Sequence, residues 1–344
     1  MPRMNLWLAA AAALAIASLP TKLLAETTAE LVGKAKQEKE VVYYTELIVD
    51  QIVRPLASAF ERKYGIKVVF WRGDSQQASL KLAMEHKAGR VQADVWSLAS
   101  GLQSLAQAGV IDRFTTENTA ALPAEFRDPD GRWASTNMIV LGSAANTNLV
   151  PAAERPRSYQ DLLAPKWRGR LVWKPNDITG AWGFIASALA EMGEDKGIAY
   201  LRALSAQNIA PVGAATRAIL DSVAAGEYPM LLGVSNHNAE IARKAGAPVA
   251  WLPLEAAWST LHIIGVTKAA PHPSAGRLFV DFTLSKEGQQ IFQKAGYLPT
   301  RPDVPAATPS LRPQDGGFKT NLIPPEMIDR DIERWSGLYG TIFR

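Results

Sequence analysis

Hydrophobic and polar positions along this chain switch between two spacings, and each switch marks an element. TAELVGKAKQEKE is a charged helical stretch, and VVYYT after it is a short apolar, β-prone run that stops at polar residues. In DQIVRPLASAFERKYG, Ile52, Val53, Leu56, Ala59 and Phe60 fall at helical spacing and Gly65 follows as a C-cap. IKVVFWRG then returns to a strand pattern. Strand, helix and strand with short joints predict the βαβ unit of a parallel sheet. The unit repeats through SQQASLKLAMEHKAGRVQ, where Leu80, Leu82, Ala83 and His86 recur at helical intervals, then ADVWSLA and SGLQSLAQAG. Three strand ends, at YYTE, WRGDS and SLAS, thus point to one edge of an open α/β sheet, where ligands sit against helix N-termini.

From Phe114 to Trp133 the pattern lapses into Pro, Asp, Gly and Thr, and WASTNMIVLGSAANTNL reads as extended chain crossing to a second lobe. A second α/β series follows. GRLVWKPNDITGAWGFIASALAEMG predicts strand, loop and helix, and IAYLRALSAQN another helix. ATRAILDSVAAGEYPMLLGVSNHNAEIARKAG predicts helix, strand, loop and helix, and PVAWLPLEAAWSTLHIIGVTKAAP two strands with a bend.

Composition supports a folded chain of this size: 344 residues, 47% hydrophobic and 20% charged, suffice for two lobes with their own cores. At the start, Arg3 precedes an apolar run from Leu6 to Leu19, then a proline and Ala25, the pattern of a secretory signal. The run is shorter than the ~20 residues that a bilayer span needs, so a cleaved signal peptide over residues 1–25 is expected. The chain has no cysteine, which excludes disulfides, thiolate metal sites and a lipid-modified N-terminal cysteine, and with export points to a bacterial periplasm. Arg3 and Lys22 leave with the signal and no acid does, so a net charge of +4 becomes +2, without a nucleic-acid footprint.

Reactive chemistry finds little support in the motifs. A nucleophile elbow at GVSNH would need Gly-x-Ser-x-Gly, and His237 stands where the last glycine belongs. The four histidines, His86, His237, His262 and His272, contain no His-Glu-x-x-His and no pair four apart, so no zinc site is expected. Gly180 and Gly183 in TGAWGF leave a dinucleotide fingerprint incomplete. NDITGAWGF does offer a helix start at Thr179, whose backbone donors suit a carboxylate or phosphate. What remains is polar loops at strand ends in two α/β lobes, as a reversible ligand clamp requires.

The last third carries a resemblance. GVTKAAPHPSAGRLFVDFTLSKEGQQIFQKAGYLPTRPDV, Gly265 to Val304, closely resembles the C-terminal signature of bacterial extracellular solute-binding proteins of ABC importers, in the subgroup with ferric-ion, thiamine, polyamine and phosphonate binders. In it Leu278, Phe279, Phe282 and Leu284 bury one helix face, and a second, capped helix ends at Gly296. The opening stretch from VVYYT to the ADV strand, with acidic Glu85 between them, SYQDLLAPKWRGRLVW and SVAAGEYPMLLG are similar to other segments of that family, so nearly the whole chain after the signal is covered. The resemblance implies a two-lobed type II periplasmic binding fold: lobe 1 from residues 26–135 plus 266–310, lobe 2 from 136–265, and a helical tail, 311–344, assigned to neither. It also implies a periplasmic monomer that makes or breaks no bond, needs no cofactor, captures a small solute and delivers it to a permease in the inner membrane.

Ferric binders of this family place two adjacent tyrosines after the strand that follows VAAGE, but here that strand runs into Ser235, Asn236, His237 and Asn238. The one adjacent pair, Tyr43 and Tyr44, lies on the first strand, where alternation sends the rings to opposite faces. Direct ferric binding therefore ranks behind a small anion such as a carboxylate or phosphonate, or a metal–anion complex. The expected cleft residues are Tyr44, Thr45, Glu46, Arg72, Asp74, Ser75, Ser97, Ser100, Asn176, Thr179, Trp182, Ser235, Asn236, His237 and Trp258. Arg72 and the helix start at Thr179 suit an anion, Glu46 and Asp74 an amine, and Trp182 and Trp258 a flat body. Two other classes stay open: a hydrolase using Ser235 and His237, and a periplasmic partner of a receptor kinase.

Overall fold

A computed structural model describes residues 25–343, so the stretch expected to be a signal peptide, apart from Ala25, lies outside the described residues. Among the described residues eleven strands form one mixed sheet. They are β1 (Glu40–Thr45), β2 (Lys67–Arg72), β3 (Val95–Leu98), β4 (Ala134–Asn146), β5 (Leu171–Trp173), β6 (Ala210–Pro211), β7 (Met230–Ser235), β8 (Val249–Leu252), β9 (Ala256–Val266), β10 (Leu298–Pro299) and β11 (Lys319–Leu322). The main path runs β2-β1-β3-β9-β4-β7-β5-β6. β2, β1 and β3 are parallel, as the repeated βαβ pattern predicts, and so are β7, β5 and β6. Between these two halves β9 and β4 run antiparallel to each other and to their outer neighbours. These are the crossing strands, 11 and 13 residues long.

Each half has its own core. Beside β1, the helix Pro273–Leu284 buries Leu278, Phe279, Phe282 and Leu284 completely. Phe60 from the helix Arg54–Tyr64 meets Phe279 at 5.1 Å and Phe282 at 5.6 Å. In the other half Trp173, Phe184 and Trp258 pack edge to face, Phe184 at 6.2 Å from Trp173 and 6.0 Å from Trp258. Each such buried aromatic or leucine contributes roughly 1.5–3 kcal/mol, so the apolar faces legible in the sequence organise both halves.

Three elements differ from the sequence expectation. Ahead of Arg54 the chain takes a π turn, Val49–Val53, so DQIVRPL is not one continuous α-helix. After β7 there is no loop: Ser235 is the cap of the helix Asn236–Lys244, which starts at once. The tail contains β11, paired with β9, and the helix Pro325–Ile342, which touches both halves. Glu326 of that helix accepts from Trp133 Nε1 at 2.8 Å on one side, while Trp335 and Tyr339 join the opposite core. No helix of the described residues is long and apolar enough to cross a membrane.

Candidate ligand-binding cleft

A cavity of about 300 Å³ lies where the C-terminal ends of β1 and β2 face the start of the helix Asn236–Lys244 across the crossing strands. Asn137, Ile139 and Leu141, alternate residues on one face of β4, line it. Two register slips shape this face. The β4–β9 ladder slips between Ser135 and Asn137, and the β4–β7 ladder between Gly142 and Ser143, leaving Gly233 unpaired. Bulges of this kind bend a strand and re-aim its side chains. Gly233 has φ +84°, and a Cβ there would stand 2.7 Å from Gly180 Cα and 2.8 Å from the Thr179 carbonyl oxygen, so only glycine fits. The slip brings Ser235 opposite Leu141, at the cavity.

On the β1 side Glu46 is held on all sides by the protein. Its carboxylate accepts from the Ser75 hydroxyl and from Ala99 N–H at 2.9 Å, and lies 3.2 Å from His262 Nε2. Burial pushes this carboxyl up, but His262, Ser75 and the Ala99 N–H outweigh burial and hold it below the usual carboxylate range. His262 Nδ1 is in turn 3.1 Å from Ser97 Oγ. Asp74 caps the helix Ser75–Lys87, accepting from Gln77 N–H at 2.8 Å. Arg72 lines the same cavity, and its side chain has no hydrogen-bond or ion-pair partner among the described residues.

On the opposite side Ser235 and His237 are buried, and the Ser235 hydroxyl has no hydrogen-bond partner. Burial pushes His237 down to about 4, so its imidazole is neutral at pH 7. It stacks on Tyr297, whose phenol burial pushes up to about 12. No side chain caps the helix Asn236–Lys244 or the helix Thr216–Ala225, and Thr216, His237 and Asn238 all reach the cavity. Their first-turn N–H groups have no partner within their helices and carry partial positive charge toward it.

Of the fifteen residues read from the sequence, the structure brings Glu46, Arg72, Asp74, Thr179, Ser235 and His237 to the cavity. Ser75 and Ser97 stand behind it, bonded to Glu46 and His262. The others go elsewhere. Tyr44 turns to the outer face and donates to Glu85 at 2.8 Å, while Thr45 is buried and accepts from Leu47 N–H at 3.1 Å. Ser100 is half-buried off the cavity, and Asn176 sits in an exposed turn at φ +55°. Trp182 packs beside the C-terminal helix, Asn236 donates to the Leu311 carbonyl at 2.6 Å, and Trp258 is in the core. Nor are the donors of NDITGAWGF open: Gly180 and Trp182 N–H donate to the Asp177 carbonyl and Ala181 N–H to that of Lys174. The expected set lacked Asn137, Ile139, Leu141, His262 and Tyr297, and also Leu47, Ile48, Thr216 and Asn238. The alternation of β4 marked the first three as one face, but nothing local marked that face as the cleft.

A family model described as bacterial extracellular solute-binding protein matches residues 41–298. A putative 2-aminoethylphosphonate-binding periplasmic protein of Salmonella typhimurium is 28% identical over 261 residues, 73% of this chain and 74% of its own. An Fe(3+)-binding periplasmic protein of Serratia marcescens is 24% identical over 298 residues, 81% of this chain and 85% of its own. Among solved structures, iron-bound HitA from Pseudomonas aeruginosa matches with a TM-score of 0.74 and 22% identity, covering 87% of this chain and 99% of that one. The two parallel half-sheets joined by crossing strands are thus the type II periplasmic binding fold, and the chain belongs to the bacterial extracellular solute-binding proteins.

Proposed function

We propose that this chain is the periplasmic receptor of an ABC importer that captures a small organic anion, a carboxylate or phosphonate free or carried with a metal, and hands it to the permease. The observation that carries the sign of the ligand is the pairing in the cavity: Glu46 is engaged by Ser75, Ala99 and His262, whereas Arg72 is unpaired. Two uncapped helix starts, at Thr216 and Asn236, add donors from the other half. The relative named for 2-aminoethylphosphonate supports a phosphonate head group.

In this reading residues 26–135 plus 266–310 and residues 136–265 are the two lobes, and the helix Pro325–Ile342 straps them. Anion bound between Arg72 and Ser235 favours the closed arrangement, and only that difference in affinity drives delivery. Export would follow cleavage after Ala25. Direct coordination of ferric ion by a tyrosine pair gains no support from the geometry, because Tyr43 packs on Phe279 at 5.0 Å and Tyr44 on Trp71 at 5.4 Å, both off the cavity. Hydrolysis gains none either, since the Ser235 hydroxyl has no hydrogen-bonded base.

A thermal-shift panel on the chain from Glu26 onward tests this. It contains 2-aminoethylphosphonate, simple phosphonates, dicarboxylates, aromatic acids, ferric ion, ferric citrate, thiamine and polyamines. A cognate anion at 100 times its dissociation constant adds about 2.7 kcal/mol of stability. Shifts by polyamines, thiamine or bare ferric ion with none by any anion would refute the anion reading.

A further inference from the structure

We infer that Asn137, on the crossing strand β4, is a ligand-contacting donor that determines which anions the cleft accepts and ties their binding to the hinge. The inference rests on the anion reading above and adds a residue that neither the sequence pattern nor the resemblance singles out. Asn137 is fully buried, lines the cavity, and its Nδ2 has no hydrogen-bond partner. Buried amide donors are almost always paired, so an unpaired one on a residue that lines a cavity calls for an acceptor from outside the chain.

The surroundings show that this orphan is built rather than left over. At the slip in the β4–β9 ladder the flanking carbonyls are satisfied, while His262 Nε2, across the ladder from Asn137, approaches Glu46 at 3.2 Å without a hydrogen bond. The Thr136 carbonyl accepts from Gln289 Nε2 at 2.9 Å and the Ser135 carbonyl from the Thr300 hydroxyl at 2.7 Å. The Thr136 hydroxyl donates to Asn137 Oδ1 at 3.0 Å. That bond engages the oxygen end of the amide and leaves the NH2 end open. Along the same face Ile139 and Leu141 follow, and then, across the ladder from Leu141, comes Ser235 with its own unpaired buried hydroxyl.

The floor of the cleft therefore reads donor, aliphatic, aliphatic, donor. It suits an oxyanion at one end, a short carbon chain over Ile139 and Leu141, and a second hydrogen-bonding group at the other end. A ligand on Asn137 touches the strand that crosses between the halves, so it senses the hinge directly instead of either lobe alone.

Calorimetric titration of the wild type, Asn137→Ala and Asn137→Asp with 2-aminoethylphosphonate, glutarate and inorganic phosphate tests this. Small-angle scattering with and without each probe reports closure. Asn137→Ala is expected to weaken the best-bound probe at least tenfold. Asn137→Asp, the same size with an acceptor in place of the donor, should weaken it further and abolish the ligand-induced contraction. Melting points of the ligand-free variants separate recognition from folding, and Asn137→Ser replaces Ala should that variant melt early. Wild-type affinity within twofold in Asn137→Ala, or retained contraction in Asn137→Asp, overturns the inference while leaving the anion reading intact. A wild type that binds neither these probes nor any other anion of the thermal-shift panel overturns the anion reading itself, and this inference with it.

Discussion

The imidazole of His237 stacks on the phenol of Tyr297 with ring centroids 4.7 Å apart and planes 28° apart. Both rings line the cavity, one from the helix after β7 and the other from the segment leading into β10, so the stack joins the two sides of the cleft.

Burial of this imidazole makes stability sensitive to acid. Unfolded, the imidazole takes a proton near 6.5; folded, burial delays this to about 4. Between these values the unfolded chain binds a proton that the folded one refuses, so stability is full above 6.5 and falls as pH drops toward 4, by about 3 kcal/mol at most. Glu46, held below its ordinary 4.5, adds a loss in the same direction at still lower pH. Urea midpoints at pH 7.5 and 4.5 should differ clearly in the wild type and much less in His237→Gln. An equal difference in both would show that other groups carry the acid sensitivity.

Arg72→Ala should weaken anion binding about 10- to 100-fold, the effect of losing a charged hydrogen bond of about 1.5–3 kcal/mol. Arg72→Lys should recover part of it. Tyr44→Phe is the matched control: it removes the hydroxyl bonded to Glu85 and should leave affinity unchanged. Isothermal titration of the three variants checks the contrast.

Glu46→Ala strands the Ser75 hydroxyl and His262 around an empty place and leaves the Ala99 N–H only its 3.2 Å bond to Ser75 Oγ. A loss of about 2–4 kcal/mol of stability is expected, and weaker binding through the displaced loops. Glu46→Gln should keep more of both. Chemical denaturation paired with titration would reveal whether the residue orients the loops or touches the solute, since a direct role would weaken binding at unchanged stability.

Gly233→Ala combines a left-handed backbone with a Cβ 2.7 Å from Gly180. It should destabilise by about 1–3 kcal/mol, read as a lower denaturant midpoint at an unchanged slope. Because the slip at Gly233 delivers Ser235, affinity should fall as well.

Much of this protein was legible before any coordinates. The alternation of apolar runs foretold β1, β2, β3 and the helices between them, and the buried face of the helix Pro273–Leu284 was visible in its spacing. Even the opposite directions of Tyr43 and Tyr44 followed from the period of a strand.

Other positions were beyond local pattern. A tryptophan at a helix start reads the same whether it faces a ligand or another helix, and only the C-terminal helix packing beside Trp182 settled its place. Trp258 sits on a crossing strand whose whole length is buried, so exposure to the cleft could not be inferred from its neighbours.

By itself, then, the sequence determined the main order of elements and the absence of thiol chemistry, because these depend on residue type and short-range spacing, and its resemblance to known segments carried the family. The tertiary structure alone decided which polar groups stay unpaired at the cleft. Glu46 is engaged by partners from three other segments, and Arg72 is not. Asn137 and Ser235 are aimed by register slips against strands distant in sequence. Pairing and register are long-range properties, and they set the charge and the hydrogen-bonding capacity that a ligand meets.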